Sequence, residues 1–366
     1  MRAYNKSITL DALRAFAVAR SLFGPTTLPR ALERFGFVQA DPIRAPARAQ
    51  DLTLRPRVKD YRAGDLERRY STLEIHEDTF VNYGFVTSAV ERLMHPRELV
   101  SRWPAARRKR AHLLLEFVRE RGTVHPREVD RHFAHGTVTN YWGGSSSATT
   151  HLLDMMHYGG LLRVVRREAG IRIYAPHEHG DAPSDVATRH ARIDALVDVA
   201  VRKYAPLPAA SLSTLVRRLR YAVPQWRGEL GKALHRAKQR LAQAHVDRVD
   251  WYWPAEESAS RKDDASSAVI LLAPFDPLVW DRRRFELLWG WAYRFEAYTP
   301  ISKRKLGYYA LPLLWRDRVV GWGNLSVQNG ELHATFGYVA SKPPRDRAFR
   351  RELDAELDRM RRFLGV

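Results

Sequence analysis

The chain has 366 residues, too many for one ordinary core, so several modules of roughly 60–150 residues each are expected. Its 61 Lys and Arg against 41 Asp and Glu give a formal charge of +20, which points to a polyanionic partner, nucleic acid ahead of an anionic membrane surface. The absence of cysteine excludes disulfide frameworks, zinc ribbons and iron–sulfur clusters, and no apolar run approaches the roughly 20 residues of a spanning helix.

The polar stretch Met1–Leu10 does not read as a signal peptide. From Thr9 to Phe23, Leu10, Leu13, Phe16, Ala17 and Val18 recur at helical spacing until Gly24-Pro25. A second helix follows, capped by Thr27, with Leu28, Leu32 and Phe35 on one face and Gly36 at its left-handed end. The run Phe37–Ile43 is β-rich and interrupted by Pro42, and strand alternation places Gln39 and Asp41 on one face.

From Arg107 the order is helix, helix, helix, hairpin. Arg107–Arg121 turns Leu114, Leu115 and Val118 inward, and His125-Pro126-Arg127-Glu128 opens the second helix. Ser145-Ser146-Ser147 caps a third helix running to about Tyr158, and Leu161–Val165 pairs with Ile171–Tyr174 as a wing. This is the winged-helix order, whose third helix enters the major groove. A similar order recurs in helices over 193–204, 208–219 and 225–243 and a strand over 246–253. Polar linkers separate these units at 177–188 and 256–265. Beyond them, a buried strand leads into Pro274-Phe275-Asp276-Pro277. Strands over 306–315, 319–327 and 331–338, with Asn329-Gly330 as a hairpin turn, form an antiparallel element, and 346–363 is a charged amphipathic helix.

Three constellations could carry chemistry. By spacing alone, Asp41-Pro42 is a strand-to-turn stop and Gln39 a solvated strand residue. The functional alternative is a carboxylate and an amide projecting together beside Arg44, Arg48, Arg55 and Arg57. Such a pair suits cleavage of an N-glycosidic bond, where the carboxylate stabilises the sugar cation or takes a proton from water and the amide orients that water. Lys303-Arg304-Lys305 stands just before Tyr308 and Tyr309, a combination suited to phosphates and unstacked bases. The histidine-bearing stretches His76-Glu77-Asp78 and His177-Glu178-His179 lack the i, i+4 spacing of a helical zinc site, so no metal and no cofactor is expected. His95-Pro96-Arg97 and His125-Pro126-Arg127 read as helix openings. Neither a phosphate-cradling glycine loop nor a nucleophile elbow is present.

Four segments in order, Phe37–Ile43, Tyr141–Ser147, Pro274–Arg282 and Lys303–Tyr309, resemble the crosslink-repair DNA glycosylases of the AlkZ and YcaQ kind. The resemblance spans about residues 10–340; Leu73–Phe85 departs from the family's Trp- and His-containing stretch ending in proline. It implies an α+β protein of three tandem winged-helix modules with an antiparallel β element around a basic DNA channel. The corresponding segments here are 1–104, 105–176, 189–255 and 266–345, closed by a helix over 346–366.

It further implies a monofunctional glycosylase that excises N7-alkylated purines and unhooks interstrand crosslinks, leaving abasic sites. Gln39 and Asp41 are then the catalytic pair, and Asp41, where the AlkZ branch has glutamine, points to the YcaQ-like Gln-x-Asp branch. Arg44, Arg48, Arg55, Arg57, Ser145, Ser146, Ser147, Lys303, Arg304, Lys305, Tyr308 and Tyr309 are the expected DNA contacts, with the hairpin around Lys303–Leu313 at the minor groove. The expected partner is double-stranded DNA bearing alkylated or crosslinked purines, met by a cytoplasmic, nucleoid-associated monomer with no role at a membrane. The competing reading is a non-catalytic winged-helix protein, a regulator or a repair accessory.

Overall fold

Thr9 and Thr27 start the first two helices as their sequence predicts. In the structure, a computed structural model describing residues 8–134, 136–139, 145–183, 185–259 and 267–366, Thr9 accepts the Ala12 N–H at 3.1 Å and Thr27 the Arg30 N–H at 3.5 Å. The helices span Leu10–Ser21 and Leu28–Phe35, and the second ends on Gly36 at φ 63°. Leu13, Phe16, Ala17, Leu28, Leu32 and Phe35 are buried, which is the face their spacing defines.

The chain divides into two compact units. One comprises Met1–Leu66, Asp198–Leu215 and Leu234–Val366; the other comprises Glu67–Val197 and Val216–Ala233. The architecture is mixed helix and antiparallel sheet, an α+β arrangement.

In the first unit a four-stranded antiparallel meander runs through Val269–Leu271, Leu311–Trp315, Arg318–Gln328 and Glu331–Tyr338. Asn329 and Gly330 turn its last hairpin with φ 52° and 80°, the left-handed pair that Asn-Gly favours. Arg347–Leu364 is capped by Asp346, whose side chain accepts the Ala348 N–H at 2.8 Å, and it buries Phe349, Met360 and Phe363. A three-stranded sheet of Leu207–Pro208, Val249–Trp253 and Ala242–Val246 completes the unit. The sequence suggested one strand from Val246 after a helix reaching Gln243; instead the helix ends at Arg240 and two strands follow. Their turn places Asp247 and Arg248 at φ 49° and 63°, a conformation usually signalled by Gly or Asn and here carried by neither.

The second unit holds a hairpin of Ile75–Thr79 and Tyr83–Thr87, then the helices Ser88–Met94, Ala105–Arg121, Pro126–Phe133 and Ala148–Tyr158. A closing hairpin pairs Leu162–Glu168 with Ile171–Pro176 around Ala169-Gly170. Val124 bridges to Tyr174, tying the start of this stretch to its end. Leu114, Val118, Val129, Leu153, Met156 and Leu162 form its core from all three of the later helices and the hairpin. His125 opens a helix, accepting the Arg127 N–H at 3.0 Å, whereas His95 sits at the end of Ser88–Met94 and is buried, not at a helix opening. Among the described residues no helix is long and apolar enough to cross a membrane.

Candidate active site

Phe37–Gln39 is a short strand whose first two residues are buried, which leaves Gln39 at its outer end. A buried lysine supports that strand: the Lys203 ammonium donates to the Phe37 carbonyl and lies 4.5 Å from the Phe37 ring centre. Burial holds this lysine's pKa well below the usual value. Gln39 Oε1 accepts the indole N–H of Trp280 at 2.8 Å. Trp280 is delivered by the Pro274–Pro277 turn, where the Asp276 carbonyl accepts the Val279 and Trp280 N–H groups at 2.9 and 2.8 Å, and its ring lies 5.0 Å from that of Tyr204.

Asp41, 9% exposed, follows two residues on. Its Oδ1 accepts the Ile43 N–H at 2.9 Å, and its own N–H donates to Gln50 Oε1 at 3.3 Å, so backbone and side chain are both fixed locally. No ion pair to this carboxylate exists among the described residues, in a chain with an excess of 20 positive charges. Burial therefore raises its pKa above the usual carboxylate value, and the Ile43 hydrogen bond offsets only part of that rise.

Tyr309 and Tyr298 are close enough to Asp41 that its charge adds to the upward shift of both phenols, burial being the larger cause. They differ in exposure, 2% for Tyr309 and 70% for Tyr298. The Tyr309 hydroxyl is buried without a hydrogen-bond partner. A buried hydroxyl with no partner, within electrostatic reach of a carboxylate with no counter-ion, is where a substrate atom or a water can be held.

The basic loop lies on the same unit. Glu296, buried and absent from the sequence expectations, accepts the N–H groups of Lys305, Leu306 and Gly307 at 2.8, 2.7 and 3.3 Å. Trp322 and Asn324 donate to the Leu306 carbonyl at 2.9 and 2.7 Å. Gly307 takes φ 116°, and a Cβ there would collide with Asn324 at 2.3 Å. These bonds occupy backbone groups that a strand would have given to its neighbour, so the strand begins at Leu311 rather than 306. Lys303, Arg304 and Lys305 consequently stand in a short helical turn and loop, not on a hairpin. The Arg304 guanidinium lies 5.0 Å over the exposed Tyr308 ring. Replacing Glu296 by Ala is expected to cost about 1–3 kcal/mol, read as a lowered urea midpoint, because three part-buried N–H groups lose their shared acceptor.

Several expected contacts are corrected by burial. Arg57 is 0% exposed, pairs with Asp276 at 2.7 Å, and also donates to the Ser21 carbonyl. Arg55 is buried and ion-paired to Glu356, which also accepts the Leu271 N–H at 2.8 Å. Both are internal cations, so neither reaches a phosphate. Tyr309 is likewise internal. Arg44 is exposed and Arg48 half-buried. Ser147 caps Ala148–Tyr158, accepting the Thr150 N–H at 3.2 Å and donating to Asp130 at 2.9 Å. Tyr141–Gly144 and the side chains of Ser145 and Ser146 lie outside the described residues. An open groove of about 870 Å³ in the same unit is lined by Lys59, Arg62, Arg316, Arg359 and Arg362, among others, and not by Gln39 or Asp41.

A buried carboxylate without a counter-ion and an exposed basic loop thus lie on one unit. The model of the family described as DNA glycosylase AlkZ-like matches residues 32–363, and the chain belongs to that family. No solved structure matches it significantly.

Proposed function

We propose that this protein is a monofunctional DNA glycosylase that excises N7-alkylated purines, including those joined in interstrand crosslinks, and leaves abasic sites. The observation that carries the reading is the Asp41 carboxylate, buried without a cation, two residues from Gln39 and within electrostatic reach of the unpartnered Tyr309 hydroxyl. N7 alkylation makes the purine cationic, so it departs with the electrons of the glycosidic bond and needs no proton from the protein. As that bond breaks, positive charge grows on the sugar, and Asp41 stabilises it through a medium from which water is partly excluded. Water then attacks C1′, forming the new C–O bond and passing its proton to Asp41. Gln39, its carbonyl oxygen held by Trp280, orients the water without carrying charge. A crosslinked base cannot swing freely out of the helix, so an open channel lined by basic side chains is expected around the site.

In this reading the helix–helix–helix–hairpin stretch 105–176 and the stretch 189–255 are winged-helix modules. With 1–104, 266–345 and 346–366 they frame a basic DNA channel. Arg44, Arg48, the Ser145–Ser147 segment, Lys303, Arg304, Lys305 and Tyr308 meet DNA, and Gln39-Ala40-Asp41 supports the Gln-x-Asp branch of the family. The protein works as a monomer associated with the nucleoid.

The test incubates purified protein with duplex DNA carrying one N7-methylguanine or one nitrogen-mustard crosslink, followed by alkaline cleavage. Strand breaks are expected; DNA that is bound yet intact would assign the chain to non-catalytic binding. Because burial raises Asp41 and the reaction needs its charged form, the single-turnover rate falls as pH drops through a value above the usual carboxylate range and is flat above it. An acid limb that persists in Asp41→Asn contradicts this. Replacing Lys303 and Lys305 together by Ala is expected to flatten the plot of log binding constant against log salt by about 1–2, since each phosphate contact adds about 0.9. An unchanged slope removes these residues from the interface.

A further inference from the structure

The second unit gathers histidines that its sequence keeps far apart. Glu91 lies on the helix Ser88–Met94, His95 follows that helix, and His177 and His179 follow the closing hairpin. Glu91 Oε1 is buried and has no hydrogen-bond partner. Three imidazole nitrogens surround it: His179 Nδ1 at 3.4 Å, His177 Nε2 at 3.6 Å and His95 Nε2 at 3.9 Å. These separations are long for hydrogen bonds but close to the edges of a ligand tetrahedron, about 3.3–3.6 Å when each bond to the ion is about 2.0–2.2 Å. The donor atoms of Glu91, His95 and His179 all lie within 4.8 Å of one another.

The outer groups are arranged as they are around metal ligands. His179 turns its other nitrogen, Nε2, to the Gly160 carbonyl at 2.9 Å, which fixes the ring with Nδ1 toward Glu91. The His177 backbone N–H donates to the Leu161 carbonyl at 3.0 Å and anchors the histidine segment against the hairpin. His95 Nε2 is 2.7 Å from Asp78, and Asp78 is also held by Arg97 at 2.8 Å. Asp78 therefore keeps a cationic partner when His95 gives up that hydrogen bond for a metal bond. The His95 and His179 rings stack with centres 4.3 Å apart, so they must fan open slightly to share an ion.

We propose that Glu91, His95 and His179 form a binding site for a divalent transition-metal ion, with His177 next to them and Zn²⁺ the best chemical match. Two imidazoles and one carboxylate are a donor set for zinc rather than for magnesium or calcium, which prefer all-oxygen sites. An ion held there staples the helix Ser88–Met94 to the segment after the closing hairpin.

The experiment uses the untagged full chain, stripped with chelator and returned to metal-free buffer. Zn²⁺ or Co²⁺ is titrated by calorimetry, with thermal unfolding and the visible spectrum of Co²⁺ followed alongside. One ion per chain, a raised Tm, and the intense visible bands of four-coordinate Co²⁺ are expected. Glu91→Gln and, separately, His179→Gln should each weaken binding about 100-fold or more and abolish those bands. His245→Gln, an exposed histidine in the first unit, should leave both unchanged. If the Glu91→Gln chain does not fold, His179→Gln, whose side chain is only partly buried, decides the matter. Wild-type binding no tighter than that of the variants, or an octahedral Co²⁺ spectrum, overturns the proposal and leaves a proton-sharing cluster.

Discussion

Asp41→Asn is expected to cut the single-turnover excision of N7-methylguanine from duplex DNA by about 10²–10⁴-fold, with DNA affinity and Tm close to those of the parent chain. The range follows from losing one electrostatic stabiliser together with one general base. The substitution keeps the shape of the side chain and an oxygen to accept the Ile43 N–H, so the local turn survives. It also removes a buried charge that no cation neutralises, so stability should hold or rise slightly. Gln39→Ala should cost less, because the amide only orients, and Trp280 then loses its acceptor. Tyr309→Phe should leave Tm unchanged, since its hydroxyl has no partner to lose, while any fall in rate measures its contact with water or sugar. An Asp41→Asn enzyme with full activity would move the chemistry elsewhere.

Asp276→Ala is expected to destabilise the chain by about 3–5 kcal/mol, measured by urea unfolding. Arg57 and Asp276 are both 0% exposed and joined by two hydrogen bonds, at 2.7 and 3.0 Å. Removing the carboxylate leaves a guanidinium in the interior with only carbonyl partners at Ser21 and Thr53. Asp276 also accepts the Leu278 N–H at 3.0 Å, so the turn that delivers Trp280 loosens as well. The double change Arg57→Met with Asp276→Leu should recover most of the loss, because replacing both partners by apolar groups leaves no uncompensated charge. A cost below about 1 kcal/mol for Asp276→Ala alone would contradict this account.

Local signals were readable where chemistry is local. Caps at Thr9, Thr27 and Ser147, the left-handed Gly36, the Asn329-Gly330 turn and the inward faces of the helices all follow from residue types at short spacing. The Gln39 and Asp41 pair was legible as a possibility, and its order with three other segments suggested the family to which the chain belongs. Long-range pairing was not legible. Arg55 and Arg57 looked like surface cations because their carboxylates come from Glu356 and Asp276, hundreds of residues away. Glu296 gave no signal, since a lone glutamate reveals nothing about three backbone donors that will converge on it. The histidines were passed over for the same reason: no spacing rule links Glu91 to His179, and only the fold does.

The wide separation of these partners sets an order in time. When the ribosome releases residues 37–57, the counter-charge for Arg57 lies 219 residues downstream and that for Arg55 lies 301 downstream. At roughly 5–20 residues per second, on the order of ten seconds to a minute passes before either carboxylate emerges. Through that interval the segment bearing Gln39 and Asp41 belongs to a nascent chain that cannot yet close around its own cations. The helix Arg347–Leu364 is therefore made long after residues 37–57, and the neutralisation of Arg55 waits for it.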